Sequence, residues 1–522
     1  MSAGFGAFEI ARSGMNVNER GLFSTGHNIS NVNTPGYSKQ ITEQVASRPI
    51  PLLNGTGMLG TGSEVVSIQR VRDEYLDFKY WSENTSYSEW RAKKTVLSDI
   101  EAMLNEPSDS GFNVILDEFF NSLQELSKDP GSLAVRTLVR QTGETLTKYF
   151  NSLASYFEEL QYDINHQIDT KVAEINSLGL QIQQLNKQIY TSELDGNLAN
   201  DLRDKRTVLI DQLSQIINID VNEVVVGKLP DGRSDIHMVI TISGKAFIDH
   251  FDFSPLAVIQ REEKLNDEDI EKLFEVRWAD GNYLNIKSGE LRGLLDVRDG
   301  NEGINGTPAY KGIPFYIRRL NEFVRTFAMA FNEGYIDGTD GPGHVDGYGL
   351  SYEGDPPVTG IRFFTMRGED GNPVNSEYFA MDLTDAYEKI TAKNFSLSAD
   401  ILEDLNKIAA ADKPYEIGNI VNLNELIKMR HNPHMFSEGA PEDYMVSIVS
   451  TIGIDSQQAI RITDNQKSIL RQIENRRFSH SGVSLDEEMA DMVRHQHAYT
   501  AAARMINTMA EIYDLLVNRL GV

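Results

Sequence analysis

From Leu485 to Leu520 the chain repeats apolar residues in alternating steps of four and three without a break. A heptad repeat of this kind places its apolar members on one face of a long helix, and that face needs a partner helix to cover it. Ser484 precedes the repeat and Glu487 follows Ser484 by three residues, as at a helix N-terminus. The repeat, which we call the C-terminal seam, consists of Leu485, Met489, Met492, Gln496, Tyr499, Ala503, Ile506, Ala510, Tyr513, Val517 and Leu520.

The N-terminus carries a matching repeat. The short amide side chains from Asn28 to Asn33 and the restriction that Pro35 places on Thr34 should end this helix, and Gly36 permits the turn that follows. Burial of one apolar stripe does not offset the entropy cost of ordering about 25 residues, which is about 1.5 kcal/mol each. This end of the chain therefore needs neighbouring helices to be stable. We expect the two seams to pair as a coiled coil that forms an assembly interface. The N-terminal seam consists of Phe8, Ala11, Met15, Asn18, Leu22, Thr25, Ile29 and Val32.

The interior alternates between helical and β-rich sequence. Tyr75 to Ile217 is predicted to be helical, most clearly where isoleucines recur every seven residues from Ile168 to Ile189. Val221 to Ile286 contains the alternating runs that are typical of strands. A third heptad pattern predicts a helix from Ile313 to Phe331, and helices resume from Asn422.

These patterns predict a mainly α, multidomain α+β fold with small β-rich insertions. The N- and C-terminal helices would pair as an axial coiled coil, a long helical bundle would form the core, and small β domains would lie outside it. The predicted domains are residues 1–45 with 483–522 (terminal coiled coil), 46–220 with 286–345 and 400–482 (helical core), 221–285 (small β-rich domain) and 346–399 (mixed β insertion).

Composition excludes several classes of function. The chain has 522 residues, no cysteine and a formal net charge of -28. Without cysteine there are no disulfides, thiolate metal sites or cysteine nucleophiles. The negative charge disfavours binding to nucleic acid or to an anionic membrane surface, and no basic patch offsets it. No run of about 18 apolar residues predicts a membrane span, and the start lacks a standard secretion signal.

The histidines offer little support for a metal centre. They cluster at His431 with His434 and at His495 with His497. Pro433 disrupts the helical face of the first pair, and the second pair points to different sides of a helix. A metal-dependent hydrolase is the alternative from another class, and it would need His431, His434 and a carboxylate to converge. We expect no enzyme activity and no cofactor.

Residues 26–38 resemble the N-terminal signature shared by bacterial flagellar rod, hook and hook-associated proteins, which are the axial proteins of the flagellum. The stretch departs from the usual pattern at His27, commonly Asn, and at Ser30, commonly Ala. Residues 482–489 and parts of 496–506 resemble the matching C-terminal signature. The residues of this axial signature are Asn28, Ile29, Asn31, Asn33, Thr34, Pro35, Gly36 and Tyr37.

The interior is similar to the family of hook-associated protein 1. The similarity is carried by Leu-Gln-Glu-Leu-Ser-Lys-Asp-Pro at 123–130, Asn-Asp-Leu-Arg-Asp-Lys-Arg at 200–206 and Ser-Gly-Glu-Leu-Arg-Gly-Leu-Leu-Asp at 288–296. It is weakest at roughly 221–285 and 345–400. Hook and rod proteins lack this long helical interior. A hook or distal-rod protein nevertheless stays the alternative within the class, and a β-dominated body would favour it.

The resemblance implies a structural subunit of the bacterial flagellum that polymerises as a junction between hook and filament and is needed for filament assembly. It implies export through the flagellar type III apparatus to an extracellular position. The implied partners are other copies of the chain in a ring or helical array, the hook protein, a second junction protein (hook-associated protein 3) and a cytoplasmic export chaperone bound near the C-terminal helix. Neither nucleic acid, membrane, cofactor nor enzyme activity is implied.

Overall fold

Long helices account for most of the chain. The computed structural model describes residues 2–51, 57–104, 111–229 and 232–515, with side chains from Gly6 onward. Val517 and Leu520 of the C-terminal seam lie outside the described residues. The α-helices are α1 (Ser2–Ser30), α2 (Glu74–Leu104), α3 (Phe112–Lys128), α4 (Leu133–Glu193), α5 (Asn200–Ile216), α6 (Glu290–Asp299), α7 (Ile313–Glu333), α8 (Leu383–Glu388), α9 (Ala399–Glu403), α10 (Val421–Lys428), α11 (Pro441–Ser481) and α12 (Leu485–Asp514).

The strands form small antiparallel sheets. One sheet has four strands in the order β5-β6-β7-β8, and the others are the pairs β1-β4, β2-β3, β9-β10, β11-β12 and β13-β14. The strands are β1 (Gln40–Ala46), β2 (Ile50–Pro51), β3 (Met58–Leu59), β4 (Ser63–Arg70), β5 (Asp220–Lys228), β6 (Ser234–Ile242), β7 (Lys245–Asp249), β8 (Asp252–Phe253), β9 (Leu256–Gln260), β10 (Phe274–Trp278), β11 (Tyr335–Ile336), β12 (Thr339–Asp340), β13 (Phe364–Met366) and β14 (Phe395–Leu397).

The helical core is built around α4, which is 61 residues long. Helices α3 and α5 pack along α4, while α2 packs against α5, α6 and α11. The isoleucines that recur every seven residues along α4 are all buried, as are the heptad positions of α7. One continuous apolar core therefore runs through the bundle, with a dense aromatic cluster at Phe119, Phe120, Phe327, Phe331, Phe363 and Phe364.

The β-rich sequence from 221 to 286 docks on the middle of α4. A Cβ atom at Gly179 would lie 2.5 Å from Cε2 of Phe253 and 2.6 Å from Cζ of Phe247. Only a glycine leaves room for these two rings, so Gly179 marks where the four-stranded sheet meets the helix.

The two ends of the chain meet. Helix α1 packs along α12, and a ribbon formed by β1 and β4 packs on another face of α1. Helix α12 begins after Ser484 as predicted, but the Ser484 hydroxyl makes no capping bond. Three acidic residues, Asp486, Glu487 and Glu488, occupy the first turn instead, where the helix dipole favours negative charge.

The fold class predicted from the sequence is confirmed: long helices carry small antiparallel sheets, and the terminal helices pair. The predicted division into four domains stays a prediction. The ribbon from Gln40 to Arg70 lies against α1, although the predicted border at residue 45 runs through it.

Candidate assembly site

Asn28, near the C-terminal end of α1, ties three separate segments together. Its amide oxygen accepts hydrogen bonds from the Tyr37 hydroxyl at 2.8 Å and from the Gln40 backbone N–H at 2.9 Å. Its amide nitrogen donates to the Gln40 carbonyl at 2.9 Å and to the Glu488 carboxylate at 3.0 Å. Asn28 is 1% exposed, and an amide is the side chain that offers two donors and an acceptor at one point. We call Asn28, Tyr37, Gln40 and Glu488 the polar lock.

Lys39 completes the charge balance of the polar lock. Its Nζ atom lies 2.9 Å from Oε1 of Glu488, which is buried at the start of α12. Burial alone would lower the pKa of Lys39, but the hydrogen bond and the charge of Glu488 more than offset it and raise that pKa. The Lys39 backbone N–H also donates to the Ser481 carbonyl at 2.8 Å. The segments that leave and re-enter the bundle are therefore fastened to each other.

Helix α5 holds the turn that follows α1. Asp204 accepts hydrogen bonds from the backbone N–H and the hydroxyl of Ser38, both at 2.8 Å, and from Arg70 at 3.0 Å. Asp201 accepts a hydrogen bond from the Gln40 amide at 2.7 Å. Burial, together with the charges of Asp201 and Asp204, raises the pKa of Tyr37 well above its ordinary value, so its hydroxyl stays a donor to Asn28.

A chain of ion pairs continues from this turn into the bundle. Arg72 donates to the Ser38 hydroxyl at 2.9 Å and forms a bidentate pair with Asp77 of α2 at 2.7 and 2.9 Å. Arg477 of α11 reaches Asp77 at 2.6 Å and Asp211 of α5 at 2.9 Å. These groups are largely buried, and bidentate guanidinium–carboxylate pairs fix geometry. The terminal helices are thus anchored to α2, α5 and α11 by directional contacts.

Backbone conformation and close packing require glycine at position 36. The φ angle of Gly36 is +76°, and a Cβ atom there would lie 2.1 Å from Cγ2 of Val208 on α5. Both the left-handed backbone and the close approach exclude a larger residue. His27, where the axial signature commonly has Asn, lies 3.3 Å from Asp201 and packs edge-on against Tyr37.

The axial signature divides into an inner and an outer part. Asn28 and Tyr37 belong to the polar lock, and Ile29 and Asn31 are half-buried. The remaining signature residues, Asn33, Thr34, Pro35 and Gly36, are exposed. A cavity of about 630 Å³ opens between this turn and helices α4 and α5, and its lining includes Asn31, Thr34, Pro35 and Tyr37.

The seam residues occupy different environments at the two ends. On α1 every predicted position is buried or half-buried. On α12 the half-buried predicted positions are Met492, Tyr499, Ala503, Ile506 and Tyr513. Leu485 and Met489 are 46% and 60% exposed, and Gln496 and Ala510 are also exposed. Their use as an assembly seam stays a prediction.

Several residues of this site were not expected from the sequence. Glu488 is the buried residue of α12 among those described, and His495 faces α1, where its Nδ1 lies 3.0 Å from the Asn18 amide oxygen. Burial and the neighbouring Arg494 lower the pKa of His495. Asp204 lies in the segment 200–206 that carried the family resemblance, but no role for it followed from the pattern.

Gly21 provides a direct test of the helix pairing. A Cβ atom at Gly21 would lie 2.6 to 2.8 Å from three ring atoms of His495, whereas one at Gly26 of the same helix would meet nothing within 4 Å. We expect Gly21→Ala to displace His495 and weaken the α1–α12 pairing by about 1–3 kcal/mol. Gly26→Ala should instead stabilise the helix by about 0.5–1 kcal/mol. Thermal unfolding of the terminal helices followed by circular dichroism measures both, and equal effects would contradict this packing.

The metal centre that the histidine pairs left open finds no support in the described residues. Nowhere in the described ranges do three His, Cys, Asp or Glu side chains gather so as to hold a metal ion. His431 and His434 are exposed. Among the described helices, none combines the length and apolar character needed to cross a membrane.

Family models match two parts of the chain. The model described as "Flagellar hook-associated protein FlgK helical domain" matches residues 97–348, and the one described as "Flagellar basal body rod FlgEFG protein C-terminal" matches residues 476–520. The second match covers α12 and the Glu488 side of the polar lock. This C-terminal match and the paired terminal helices make the chain similar to the axial proteins of the flagellum.

Comparisons over the whole chain find similarity to one kind of axial protein, flagellar hook-associated protein 1. Flagellar hook-associated protein 1 of Bacillus subtilis is 28% identical over 100% of this chain and 99% of the relative, and that of Escherichia coli is 25% identical over 97% and 98%. The flagellar hook junction protein FlgK of Burkholderia pseudomallei shares the fold, with a TM-score of 0.52 at 14% identity over 79% of this chain and 100% of that one. The chain is similar over its whole length to flagellar hook-associated protein 1 of Bacillus subtilis and Escherichia coli, and its helical interior matches the FlgK model.

Proposed function

We propose that this chain is a structural subunit of the bacterial flagellum that polymerises as the junction between hook and filament and that filament assembly requires it. One observation carries the proposal: the axial signature builds a buried polar lock that fastens the two terminal helices to each other and to the bundle. A rigid pairing of chain ends, presented on a helical body, is what a subunit needs in order to stack with others around an axis.

The surface of α12 supports assembly with neighbours. Glu488 is its buried residue within Leu485–Asp514, while Leu485, Met489 and Val493 are 46%, 60% and 51% exposed. A 30-residue helix whose main helix contact, among the described residues, is with α1 leaves apolar surface in water. Other copies of the chain would cover this surface in a ring or helical array, because the exposed side of α12 differs from the side that meets α1 and such unlike contacts propagate.

Localisation tests the proposal against the alternative of a hook or distal-rod protein. The turn at Asp370–Gly371 is exposed and leaves room for a short epitope tag. We expect gold-labelled antibody to mark one band where hook and filament meet. Label along the whole length of the hook, or inside the basal body, would instead establish the alternative.

We further propose the hook protein on one side of the array and a second junction protein, hook-associated protein 3, on the other. Because the chain has no cysteine, a single Met489→Cys variant places one thiol on the exposed face of α12. Crosslinking of intact flagella should yield adducts with further copies of the chain and with these two proteins. If the adducts contain filament subunits only, the proposed neighbours are wrong.

Export through the flagellar type III apparatus, guarded by a cytoplasmic chaperone, is the remaining part of the proposal. The apolar face of α12 would be exposed before assembly, and a helical partner can cover such a face. Removal of residues 482–522 leaves α11 complete to Ser481. We expect titration calorimetry to show loss of binding to the flagellar export chaperone, with the thermal transition of the body unaltered. Unchanged affinity would contradict chaperone binding at this end.

A further inference from the structure

The turn between β7 and β8 fastens the four-stranded sheet to α4. The Asn186 amide of α4 donates to the His250 carbonyl at 3.0 Å, and the Gln183 amide donates to the Phe251 carbonyl at 2.5 Å. The His250 backbone has a φ angle of +50°, which is uncommon outside glycine. Turn residues 249–252 are therefore held in a specific shape against the helix.

The His250 side chain is buried behind this turn without a polar partner. It is 5% exposed, and neither ring nitrogen has a hydrogen-bond partner within the described residues. The His237 ring of β6 stacks on it at 3.9 Å between centroids and 11° between planes, and the Phe251 ring lies at 4.0 Å. Tyr190 of α4 packs edge-on at 5.7 Å. An imidazole in this environment is accommodated only when it is neutral.

The positive charge of Arg206 disfavours protonation of His250. Arg206 of α5 is 4% exposed, donates to Asn186 at 2.9 Å and is paired with Glu223 of β5 at 3.1 Å. Burial, His237 and Arg206 together lower the pKa of His250 to about 4.

Carboxylates act on His250 in the opposite direction. Asp235 of β6 lies 3.4 Å from the His237 ring, and Asp249 precedes His250 in the turn. Both raise the pKa of His250, but not enough to offset its burial.

We propose that the turn at 249–252 is a proton-sensitive latch: when His250 takes up a proton, the turn leaves α4 and the outer face of the four-stranded sheet is released. The latch uses none of the residues of the polar lock and does not depend on the assembly role of the chain.

The direction of the pH effect follows from which state binds the proton better. The docked turn holds His250 neutral down to a pKa of about 4, whereas a released histidine has its ordinary value of 6.5. Docking is therefore at full strength above pH 6.5 and weakens as the pH falls toward 4. Across this window the population of the open turn should rise about tenfold per pH unit, and below it the rise should stop.

Hydrogen exchange of the full-length chain tests the latch. The peptide covering residues 246–254 is followed by mass spectrometry between pH 7 and 4.5, with labelling times adjusted for the intrinsic exchange rate. In the wild type we expect protection of this peptide to fall about tenfold per pH unit below 6.5. In His250→Phe it should change less than twofold over the whole range, because no proton can be taken up there.

Matched variants distinguish the latch from general acid destabilisation. His166 of α4 is exposed and packs near Phe274, so His166→Phe should keep the wild-type pH dependence. His250→Gln serves as a second variant should the Phe side chain disturb the turn, and it too should lose the dependence. A wild-type peptide whose protection is independent of pH, or a steep dependence that survives in both His250 variants, would overturn the proposal.

Discussion

Asn28→Asp should unfasten the terminal helices at neutral pH and abolish filament growth. The new carboxylate would face Glu488, whose oxygen now lies 3.0 Å from the Asn28 amide nitrogen, in a site where Asn28 is 1% exposed. Two buried carboxylates at this distance repel each other, and the bond donated to the Gln40 carbonyl is lost as well. We expect the pairing of α1 with α12 to weaken by about 3–5 kcal/mol. Limited proteolysis should then remove both ends rapidly while the bundle stays intact.

The expected defect depends on pH with a definite sign. Repulsion raises the pKa of one member of the new carboxylate pair, so the defect should be greatest at neutral pH and should shrink as the pH falls and that member takes up a proton. Digestion rates with an acid-tolerant protease should therefore converge on those of the wild type in acid.

Two control variants isolate the contact. Asn28→Asp combined with Glu488→Gln replaces the two carboxylates by one amide and one carboxylate with their roles exchanged. It removes the repulsion and should recover part of the pairing and of filament growth, although the Gln40 carbonyl still lacks the Asn28 donor and Lys39 loses its carboxylate partner. Asn31→Asp places a carboxylate three residues later, where the hydrogen bonds of the amide within the described residues go to His27 and Thr34. It should have little effect. Equal defects in Asn28→Asp and Asn31→Asp would show that the polar lock does not hold the ends.

Ile506→Asp should prevent assembly while the body of the molecule stays folded. Ile506 is half-buried and lies one helical turn after Ala502, which faces Gly14 of α1. A carboxylate placed in such an apolar contact costs about 3 kcal/mol. The thermal transition of the bundle should not move, because α12 makes its main helix contact with α1. Swimming in soft agar and sedimentation of assembled flagella measure the outcome.

The neighbouring position supplies the control for Ile506. Asn507 is exposed, so Asn507→Asp adds the same charge without entering the contact. It should swim normally. Normal motility of Ile506→Asp would show that this face of α12 is not needed for assembly.

The helices could be predicted because their packing is repetitive. Regular burial along α4 and α7 leaves a heptad pattern that identifies buried positions without knowledge of the partner. The pairing of the ends followed from the same argument.

The register of α12 could not be predicted in this way. The less exposed residues of α12 do follow a heptad, and Met492, Tyr499, Ile506 and Tyr513 agree with the predicted seam. However, Glu488, His495, Ala502 and Met509 lie one position before the predicted Met489, Gln496, Ala503 and Ala510. Glu488 is buried and Met489 is 60% exposed, although the apolar pattern favoured Met489. The reason is chemical: Glu488 meets Asn28 and Lys39, which are distant in sequence but supply the donors it needs.

Hydrogen-bond networks between polar side chains follow no repeat in the sequence. Ser38 and Asp204 are 166 positions apart, and neither their residue types nor their spacing predicts their contact. Gly179 did leave a signal, since a glycine in the middle of a 61-residue helix costs stability unless something packs closely against it. His237 of β6 stacks on His250 in the turn after β7. Polar side chains at such positions would ordinarily be predicted to be exposed, so the sequence did not indicate this contact.

Deletion of the gene is the decisive test of whether this chain links hook to filament. If it does, the deleted cells should keep hooks of normal length, carry no filament and release unpolymerised flagellin into the medium. The wild-type gene should restore filaments and the Asn28→Asp, Glu488→Gln double variant should restore them in part, whereas Asn28→Asp alone should not. Full-length filaments on the deletion strain would show that the chain does not link hook to filament.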